Sequence, residues 1–241
     1  MSKDPIGDRM KEFERRSSSY LTPKVPAIIR LDGKSFHTLT KDMDRPWDEW
    51  FVDCMQQTAL KLCENIQCAV FGYVQSDEIS ILLIDWNKYN TTQFFDGKIQ
   101  KICSVAASMS TAHFNNRIKG KYSNKTGMFD ARVFNIPEHD VVNNFLWRQQ
   151  DCTRNSIQML ARSQFSHKEC HKKNTSQLQD MLMEKGINWN DTPTHLKRGT
   201  AIVRKKLLDN EFLTWTIDKE MPILSQNKEY VQIPKRFGGE Q

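Results

Sequence analysis

Apolar residues recur along this chain with two different periods, which predict a fold built from both strands and helices. Short runs rich in β-branched residues are typical of strands, and they occur at 27–33, 68–75, 79–84, 128–137, 200–206 and 212–217. Apolar residues three and four positions apart are typical of helices, and they occur at 8–19, 45–66, 97–115, 138–164 and 175–185. The pattern therefore predicts an α/β protein of the α+β type.

The order of these elements between residues 25 and 137 is β-α-β-β-α-β. That order builds a ferredoxin-like antiparallel sheet with two helices on one face, like a polymerase palm. In such a sheet the first strand lies at the centre beside the third, so Asp32 should approach Asp77. We expect residues 1–137 to form this palm-like domain with an N-terminal helix. Residues 138–241 should form a helical, basic region with short strands, packed on the palm.

Composition narrows the class of protein only a little. The chain has 241 residues, of which 38% are hydrophobic and 27% are charged, and this indicates a globular protein and excludes a disordered one. The net charge of +6 suits an anionic partner such as a nucleic acid or a nucleotide. Many ordinary enzymes carry a similar surplus, so this charge is weak support.

The six cysteines include no C-x-x-C pair and lie mostly in apolar segments, so we interpret them as reduced core residues. His167, Cys170 and His171 cluster, but zinc needs four ligands, and a surface helix start explains them better. The chain begins with polar and charged residues that lack the apolar stretch of a signal peptide, and no run is long enough to span a membrane. These features predict a cytoplasmic protein.

The stretch "VFGYVQSDEISILLI", residues 70–84, places Asp77 and Glu78 between two apolar runs. A solvated hairpin turn would account for it, and Asp32-Gly33 after the first strand is also a common kind of turn. The alternative interpretation is that Asp32 and Asp77 belong to one metal-binding site. Carboxylates on neighbouring strands repel each other unless a cation lies between them. Mg²⁺ prefers one or two such carboxylates together with substrate phosphates.

Two such ions about 3.5–4 Å apart can hold the attacking and leaving oxygens in phosphoryl or nucleotidyl transfer. Gly33 lets the backbone pass close to a metal and a triphosphate, and residues 34–37 can then present amides to phosphate oxygens. From the residues alone, both the turn and the metal-site interpretations stay open.

Two motifs make a family resemblance visible. "RLDGKSFHTLTK" followed by "GYVQSDEISILL" closely resembles the active-site motifs of the histidine-tRNA guanylyltransferase family. Further matching pieces are "FDARVFNIP", "FLWRQQDC", "SHKECHKKNTSQLQDMLMEKGINWND" and "LKRGTAIVRK". The resemblance spans about residues 5–206. It implies a nucleotidyltransferase that adds nucleotides to the 5′ end of tRNA in the 3′-to-5′ direction, on a polymerase-like palm.

The resemblance also implies roles for single residues. Two Mg²⁺ ions would be held by Asp32, the Gly33 carbonyl and Asp77, with Glu78 as a supporting acid of the catalytic set. The incoming triphosphate (GTP, ATP or another NTP) would lie against Asp32, Gly33, Lys34, Ser35, Phe36, His37, Ser76 and Asp77. The activating nucleotide or the 5′ phosphate would meet Arg30, Arg45 and Lys101. Contacts to tRNA would come from Lys119, Lys121, Lys172, Lys173, Arg198 and Asn155. A homotetramer with tRNA bridging its subunits is the assembly that the resemblance implies.

Each basic residue considered singly is more often a solvated charge, and only the number of clusters favours an RNA surface. The Trp147-Arg148 pair falls in a predicted helix. There we expect Trp147 to lie in the core rather than to serve as a base-stacking platform.

The sequence departs from the eukaryotic family pattern directly after the "WRQQDC" motif. Where those enzymes carry His-Ile-Asn-Asn-Leu-Tyr-Asn, this chain carries Thr153–Met159, so the histidine is absent and only Asn155 of the paired asparagines remains. This resembles the bacterial and archaeal-type relatives, which extend 5′-truncated tRNAs by copying the opposite strand. We therefore expect template-dependent 5′-end repair, with ATP activation of a 5′ monophosphate, ahead of the addition of a single G to histidine tRNA.

Two other functions remain as alternatives. A palm that makes cyclic dinucleotides or elongates DNA would share the metal-binding pair, but it would lack the tRNA-like pieces at 166–206. A non-catalytic RNA-binding palm is the other alternative, although all three acids, Asp32, Asp77 and Glu78, are present. Metal-dependent binding of GTP would separate an active palm from a silent one.

Overall fold

A single antiparallel sheet of six strands organises the molecule. The computed structural model describes residues 4–206 and 212–237. The strands are β1 (Ala27–Gly33), β2 (Ala69–Gln75), β3 (Glu78–Leu83), β4 (Phe129–Asn135), β5 (Thr200–Lys206) and β6 (Leu213–Asp218). Their order across the sheet is β4-β1-β3-β2-β5-β6. The predicted central position of β1, beside β3, is confirmed, and β5 and β6 extend the same sheet.

Helices connect and cover the strands. They are α1 (Pro5–Arg16), α2 (Phe36–Leu39), α3 (Glu49–Asn65), α4 (Ile99–Ile118), α5 (Val141–Gln164), α6 (His167–Cys170), α7 (Thr175–Glu184) and α8 (Thr194–Arg198). The β-α-β-β-α-β order is confirmed as β1-α3-β2-β3-α4-β4. The helix predicted from residue 45 begins instead at Glu49, because the Asp48 carboxylate caps it. The ends of the two predicted regions, residues 1–3 and 238–241, lie outside the described residues.

The two faces of the sheet are covered by different elements. Helices α3 and α4 pack on one face, where Ile29 and Leu31 of β1 are fully buried. Helix α5 and the C-terminal segment cover part of the other face, where Ile28 and Phe145 meet. Side chains alternate between the faces of a strand, so Arg30 and Asp32 point to the α5 face with Ile28. The sheet therefore carries one apolar face and one face that changes from apolar to charged along β1.

Four phenylalanines fix the loop that follows β1. Phe36 packs against Phe51, Phe114 and Phe129, with ring centroids 5.1 to 6.0 Å apart. A β-carbon on Gly33 would lie 2.5 Å from the Phe36 ring, so only glycine allows this approach. The loop is held to the core by its own aromatic residue, directly beyond Asp32.

All six cysteines are free, but only Cys54, Cys63 and Cys152 are buried, so the prediction of core positions holds for three of them. The predicted helix start at His167 is confirmed, because Ser166 caps the short helix α6 that begins there. Within residues 4–206 and 212–237, no helix is long and apolar enough to cross a membrane.

Asp48 connects the start of α3 to the segment after α4. Its carboxylate accepts the Phe51 amide at 2.8 Å and Lys121 Nζ at 3.1 Å, and the Tyr122 hydroxyl donates to it as well. Burial opposes ionisation of this group, but these hydrogen bonds outweigh burial and lower its pKa from 3.8 to about 2. Lys121 also reaches Asp44 at 3.2 Å, so the loop before α3 is tied to the end of α4.

We predict that Asp48→Asn lowers the free energy of unfolding by about 2 kcal/mol near neutral pH. The folded-state pKa lies below the ordinary value of 3.8, so the contribution is present above that pH and is lost as pH falls through about 2. Urea unfolding of both proteins between about pH 6 and pH 2 measures the difference. Asp4→Asn, at the cap of the exposed helix α1, is the matched control and should change stability much less. A difference that does not shrink with pH would contradict the assignment.

Candidate active site

The pairing of β1 with β3 brings three carboxylates to one end of the sheet. Asp32 lies directly opposite Glu78 in the register, and the Gly33 amide donates to the Asp77 carbonyl at 3.1 Å. Asp77 occupies the tight turn between β2 and β3, where Ser76 adopts a left-handed φ of +48°. The acids of the "QSDEIS" stretch are therefore not in a freely solvated turn but beside the acid that ends the central strand.

A cavity of about 550 Å³ opens at this end of the sheet, between the β1 loop, α3 and α5. Nine of the predicted site residues line it, namely Asp32, Gly33, Ser35, Phe36, His37, Arg45, Ser76, Asp77 and Asn155. The cavity is within the range of volumes that hold small ligands and cofactors. Residues far apart in sequence, from β1, β2, α5 and the loop before α3, thus converge on one nucleotide-sized space.

Asp77 is an acid whose charge is poorly compensated. Burial raises its pKa above the ordinary value, and the nearby Asp32 carboxylate raises it further. Hydrogen bonds from a backbone amide and the Ser76 hydroxyl, together with the charge of His37, act in the opposite direction but do not cancel these effects. Two carboxylates in this arrangement favour a bound cation.

Glu78 differs from Asp77 because an arginine pairs with it. Burial raises its pKa, and Arg148 of α5 opposes that rise. Arg148 Nε donates to the Glu78 carboxylate at 2.7 Å, and a terminal nitrogen donates to Asp151 at 2.9 Å. Glu78 thus neighbours Asp32 across the strands and already has an arginine partner, although burial still keeps its pKa above the ordinary value, and it does not line the cavity.

The predicted residues of the loop after β1 differ in whether their side chains reach the cavity. The Lys34 amide donates to the Met128 carbonyl at 2.8 Å, and the Lys34 side chain is exposed outside the cavity lining. Ser35 has a left-handed φ of +57° and lies directly before α2, which begins with the buried Phe36. His37 lines the cavity. A triphosphate in the cavity would therefore meet Ser35, His37 and the backbone, while Phe36 supports the loop from below.

The three basic residues predicted to handle the 5′ phosphate are spread apart. Arg45 lines the cavity. Arg30 lies on the α5 face of β1, with its guanidinium 5.6 Å from the Trp147 ring. Lys101 sits in the first turn of α4 above Phe95, near the end of the sheet where β1 begins. Within one copy of the chain, Asp32 and Lys101 therefore lie at opposite ends of the sheet.

The residues predicted to contact RNA also differ in their surroundings: some are bound to other protein groups, and others are exposed or line a cavity. Lys121 is engaged by Asp44 and Asp48, and the Arg198 carbonyl accepts the Tyr73 hydroxyl at 2.7 Å. Lys119 is exposed at the end of α4. A second, smaller cavity of about 150 Å³ has basic walls, formed by Arg162, His167, His171, Lys172 and Lys173 together with neighbouring residues of α5 and α7.

Two features of α5 differ from the sequence interpretation or were missed by it. The prediction that Trp147 lies in the core is wrong, because 48% of its surface is exposed. Phe145, Arg148 and Cys152 face the sheet instead, and this turns Trp147 outward. Arg148 was missed as a site residue, although its spacing of three from Asp151 was a readable sign of an ion pair.

His195 and Thr200 also line the main cavity, as does Met159. They come from the C-terminal region, and the sequence carried no signal for their position. Their presence shows that the C-terminal region supplies part of the cavity wall.

Comparison with known proteins places this geometry in a family. The sequence profile of Thg1, described as tRNAHis guanylyltransferase, matches residues 7–137. The tRNA(His) guanylyltransferase of Schizosaccharomyces pombe is 27% identical over 220 residues, which is 82% of this chain and 80% of that protein. The probable tRNA(His) guanylyltransferase of Drosophila melanogaster is 26% identical, over 84% of this chain and 74% of that protein.

A solved structure is more similar still. A bacterial tRNA(His) guanylyltransferase (Thg1)-like protein in complex with ATP has a TM-score of 0.89 and 43% identity, covering 94% of this chain and 97% of that one. Because the profile covers more than half of the sequence and the fold is shared throughout, this chain belongs to the Thg1 family of tRNAHis guanylyltransferases and is a nucleotidyltransferase.

Proposed function

We propose that this enzyme adds nucleotides in the 3′-to-5′ direction to the 5′ end of tRNA, choosing each nucleotide by pairing with the opposite strand. The observation that carries the proposal is that two neighbouring acids, Asp32 and Asp77, line a nucleotide-sized cavity, where burial and the Asp32 charge raise the pKa of Asp77. Nucleotidyl transfer needs such a pair where a triphosphate and an RNA end can meet.

The residues at this site fit Mg²⁺. In the described parts of the chain, no three His, Cys, Asp or Glu residues come together as a metal cage. Mg²⁺ does not need a cage, because it commonly takes one or two carboxylates and completes its shell with water and phosphate oxygens. Asp32, Asp77 and the Gly33 carbonyl would supply the protein ligands for two ions. When bound, these ions would offset the negative charge that develops on the phosphoryl oxygens.

The remaining groups would bind and orient the substrates. Ser35 and His37 face the triphosphate, and Arg45 offers a cationic side chain at the rim of the same cavity. A 5′ monophosphate is first joined to AMP from ATP, with loss of pyrophosphate. The 3′ hydroxyl of the incoming nucleotide then attacks the activated 5′ phosphate, and AMP leaves. When the RNA end already carries a triphosphate, the first step is skipped and pyrophosphate leaves.

Thr153 supports templated addition over strict addition of G. This position holds histidine in the eukaryotic pattern, but here the Thr153 hydroxyl donates to the Lys197 carbonyl at 3.1 Å. The Thr153 hydroxyl, which stands where the histidine imidazole would be, is thus hydrogen-bonded within the protein and is not directed at a substrate. Asn155, the asparagine that remains, lines the cavity. Addition of a single G to histidine tRNA is the second candidate, and the family membership favours it equally.

Substrates and assembly follow from the relatives by analogy. The bacterial Thg1-like protein has been solved with ATP and also with GTP, the latter at 39% identity and a TM-score of 0.81. We infer that the cavity of this chain accepts both nucleotides, GTP for addition and ATP for activation. We also infer a homotetramer, with the tRNA held across subunits.

We predict that Asp77→Asn makes the metal-free protein more stable, by about 0.5–2 kcal/mol. The substitution removes a charge that burial and Asp32 both disfavour. Urea unfolding in EDTA measures this gain, and the same titration with Mg²⁺ and GTP should stabilise wild type but not the variant. Asp180→Asn, an exposed acid of helix α7, is the control and should show no gain. A less stable Asp77→Asn protein in EDTA would contradict the charge balance described above.

We predict that wild type restores the missing nucleotide of a tRNA transcript that lacks its first 5′ residue. The assay contains a 5′ monophosphate, Mg²⁺ and all four NTPs, and sequencing the product identifies the added nucleotide. Asp77→Asn should lower the rate by more than about 100-fold, because the site loses a ligand for the charge-stabilising ions. Changing the opposite base should change which nucleotide is added.

Three other results would revise the function. Addition of G whatever the opposite base would favour the second candidate. Extension of only a 5′-triphosphate RNA would remove the activation step. Binding without any extension would leave a non-catalytic RNA-binding palm.

We predict that the double variant Lys172→Ala, Lys173→Ala weakens tRNA binding without changing the affinity for GTP. Both lysines line the small basic cavity, which suits an RNA phosphate. The slope of log affinity against log salt concentration should fall by about one for each lost phosphate contact. Lys88→Ala, an exposed lysine in the loop after β3, is the control. An unchanged salt slope would show that these lysines are solvated charges.

A further inference from the structure

We propose that Trp147 is a stacking platform for the terminal base pair of the RNA, next to the carboxylates of the active site. The proposal rests on the function proposed above. It assigns a binding site for the end of the duplex, separate from the nucleotide cavity.

Trp147 is an unusual exposed residue. The residue is 48% exposed, although it lies on a helix where the neighbouring Phe145 and Arg148 are buried. Two guanidinium groups lie within cation–π distance of the ring, Arg148 at 4.5 Å and Arg30 at 5.6 Å from its centroid. An exposed aromatic face beside fixed positive charge is the arrangement on which nucleic-acid bases stack.

The position of this ring relative to the acids supports a role at the RNA end. Arg30 precedes Asp32 by two residues on the same face of β1, which is roughly 7 Å along a strand. Arg148 is held in place by Glu78, the register partner of Asp32. The indole thus lies beside two arginines that adjoin the candidate metal site, Arg30 along β1 and Arg148 through Glu78.

The surface beside Trp147 is accessible to a duplex. Strand β4 lies next to β1 at the edge of the sheet, and Arg132 and Asp130 are exposed there. Arg132 is the register partner of Arg30, so both arginines point to the same face. This surface, formed by Arg30, Arg132 and Trp147, combines a flat apolar ring with two cations that suit phosphates, of which Arg132 also pairs with the Asp130 carboxylate at 3.1 Å.

The nucleotide cavity does not include this surface. Neither Trp147 nor Arg30 lines it, whereas Asp32 and Asp77 do. A nucleotide in the cavity and an RNA end on Trp147 would therefore meet at the carboxylates from two directions. Stacking tolerates any base, which suits an enzyme whose terminal pair changes after every addition.

Trp215 provides a matched control. It is a partly exposed tryptophan of β6, with the Arg204 guanidinium 4.6 Å from its ring centroid. Strands β6 and β4 lie at opposite edges of the sheet. Trp215 therefore reproduces the Trp147–arginine pair at a position far from Asp32.

The test uses a blunt-ended RNA hairpin with a 5′ monophosphate and the variants Trp147→Leu, Trp147→Phe and Trp215→Leu. We expect Trp147→Leu to weaken hairpin binding roughly tenfold, because one stacking contact is lost. Trp147→Phe should keep part of the affinity, and Trp215→Leu should keep all of it. The KM for GTP should not change. Wild-type fluorescence, after subtraction of the Trp147→Phe signal, should be quenched by the hairpin.

The outcomes separate the platform from the proposed function. Equal hairpin affinity of wild type and Trp147→Leu, with no quenching, would overturn the platform even if the tRNA is extended. Quenching without extension of any RNA would support the platform and remove the proposed function. A change in oligomeric state by Trp147→Leu at unchanged hairpin affinity would assign this surface to a second copy of the chain and overturn the proposal.

Discussion

The register between β1 and β3 is the constraint on which the rest of the site depends. It sets Asp32 opposite Glu78 and holds the Gly33 amide on the Asp77 carbonyl. A shift of one residue would turn Asp32 toward α3 and α4, into an apolar core. The buried alternation of isoleucine and leucine along both strands makes that shift unfavourable. The apolar core thus determines where the acids lie, without contacting the substrate.

Neighbouring acids at this end of the sheet have unequal environments, and that inequality gives them different uses. Arg148 forms an ion pair with Glu78 and connects it to α5, so this pair fastens the helix to the strands. Asp77 has a hydroxyl, an amide and a histidine as neighbours, which leave its charge incompletely balanced. A protein that carries such a group is less stable without a cation than it would otherwise be. The structure therefore combines an acid that is paired with an arginine and an acid whose charge is available for chemistry.

Most of the fold could be predicted from the sequence, because apolar periodicity and element order reflect how strands and helices bury their faces. The central β1, the two covering helices and the approach of Asp32 to Asp77 all follow from that pattern. What side chains do at the surface could not be predicted. Trp147 was expected in the core because helical spacing does not say which of two neighbouring residues faces the sheet. Lys121 shows a related limit, since its acidic partners Asp44 and Asp48 are distant in sequence.

The pairing of β2 with β5 has a consequence for how the enzyme forms. Tyr73 pairs with Ala201, and Thr200 lines the same cavity as Asp32. Contacts this distant in sequence form slowly, since a long loop must close first. The β1–β3 pairing needs the chain only as far as Leu83, whereas the cavity wall needs it as far as Thr200. On the ribosome, the acidic pair can therefore assemble well before the cavity exists, and the cavity is complete only after Thr200 has been added.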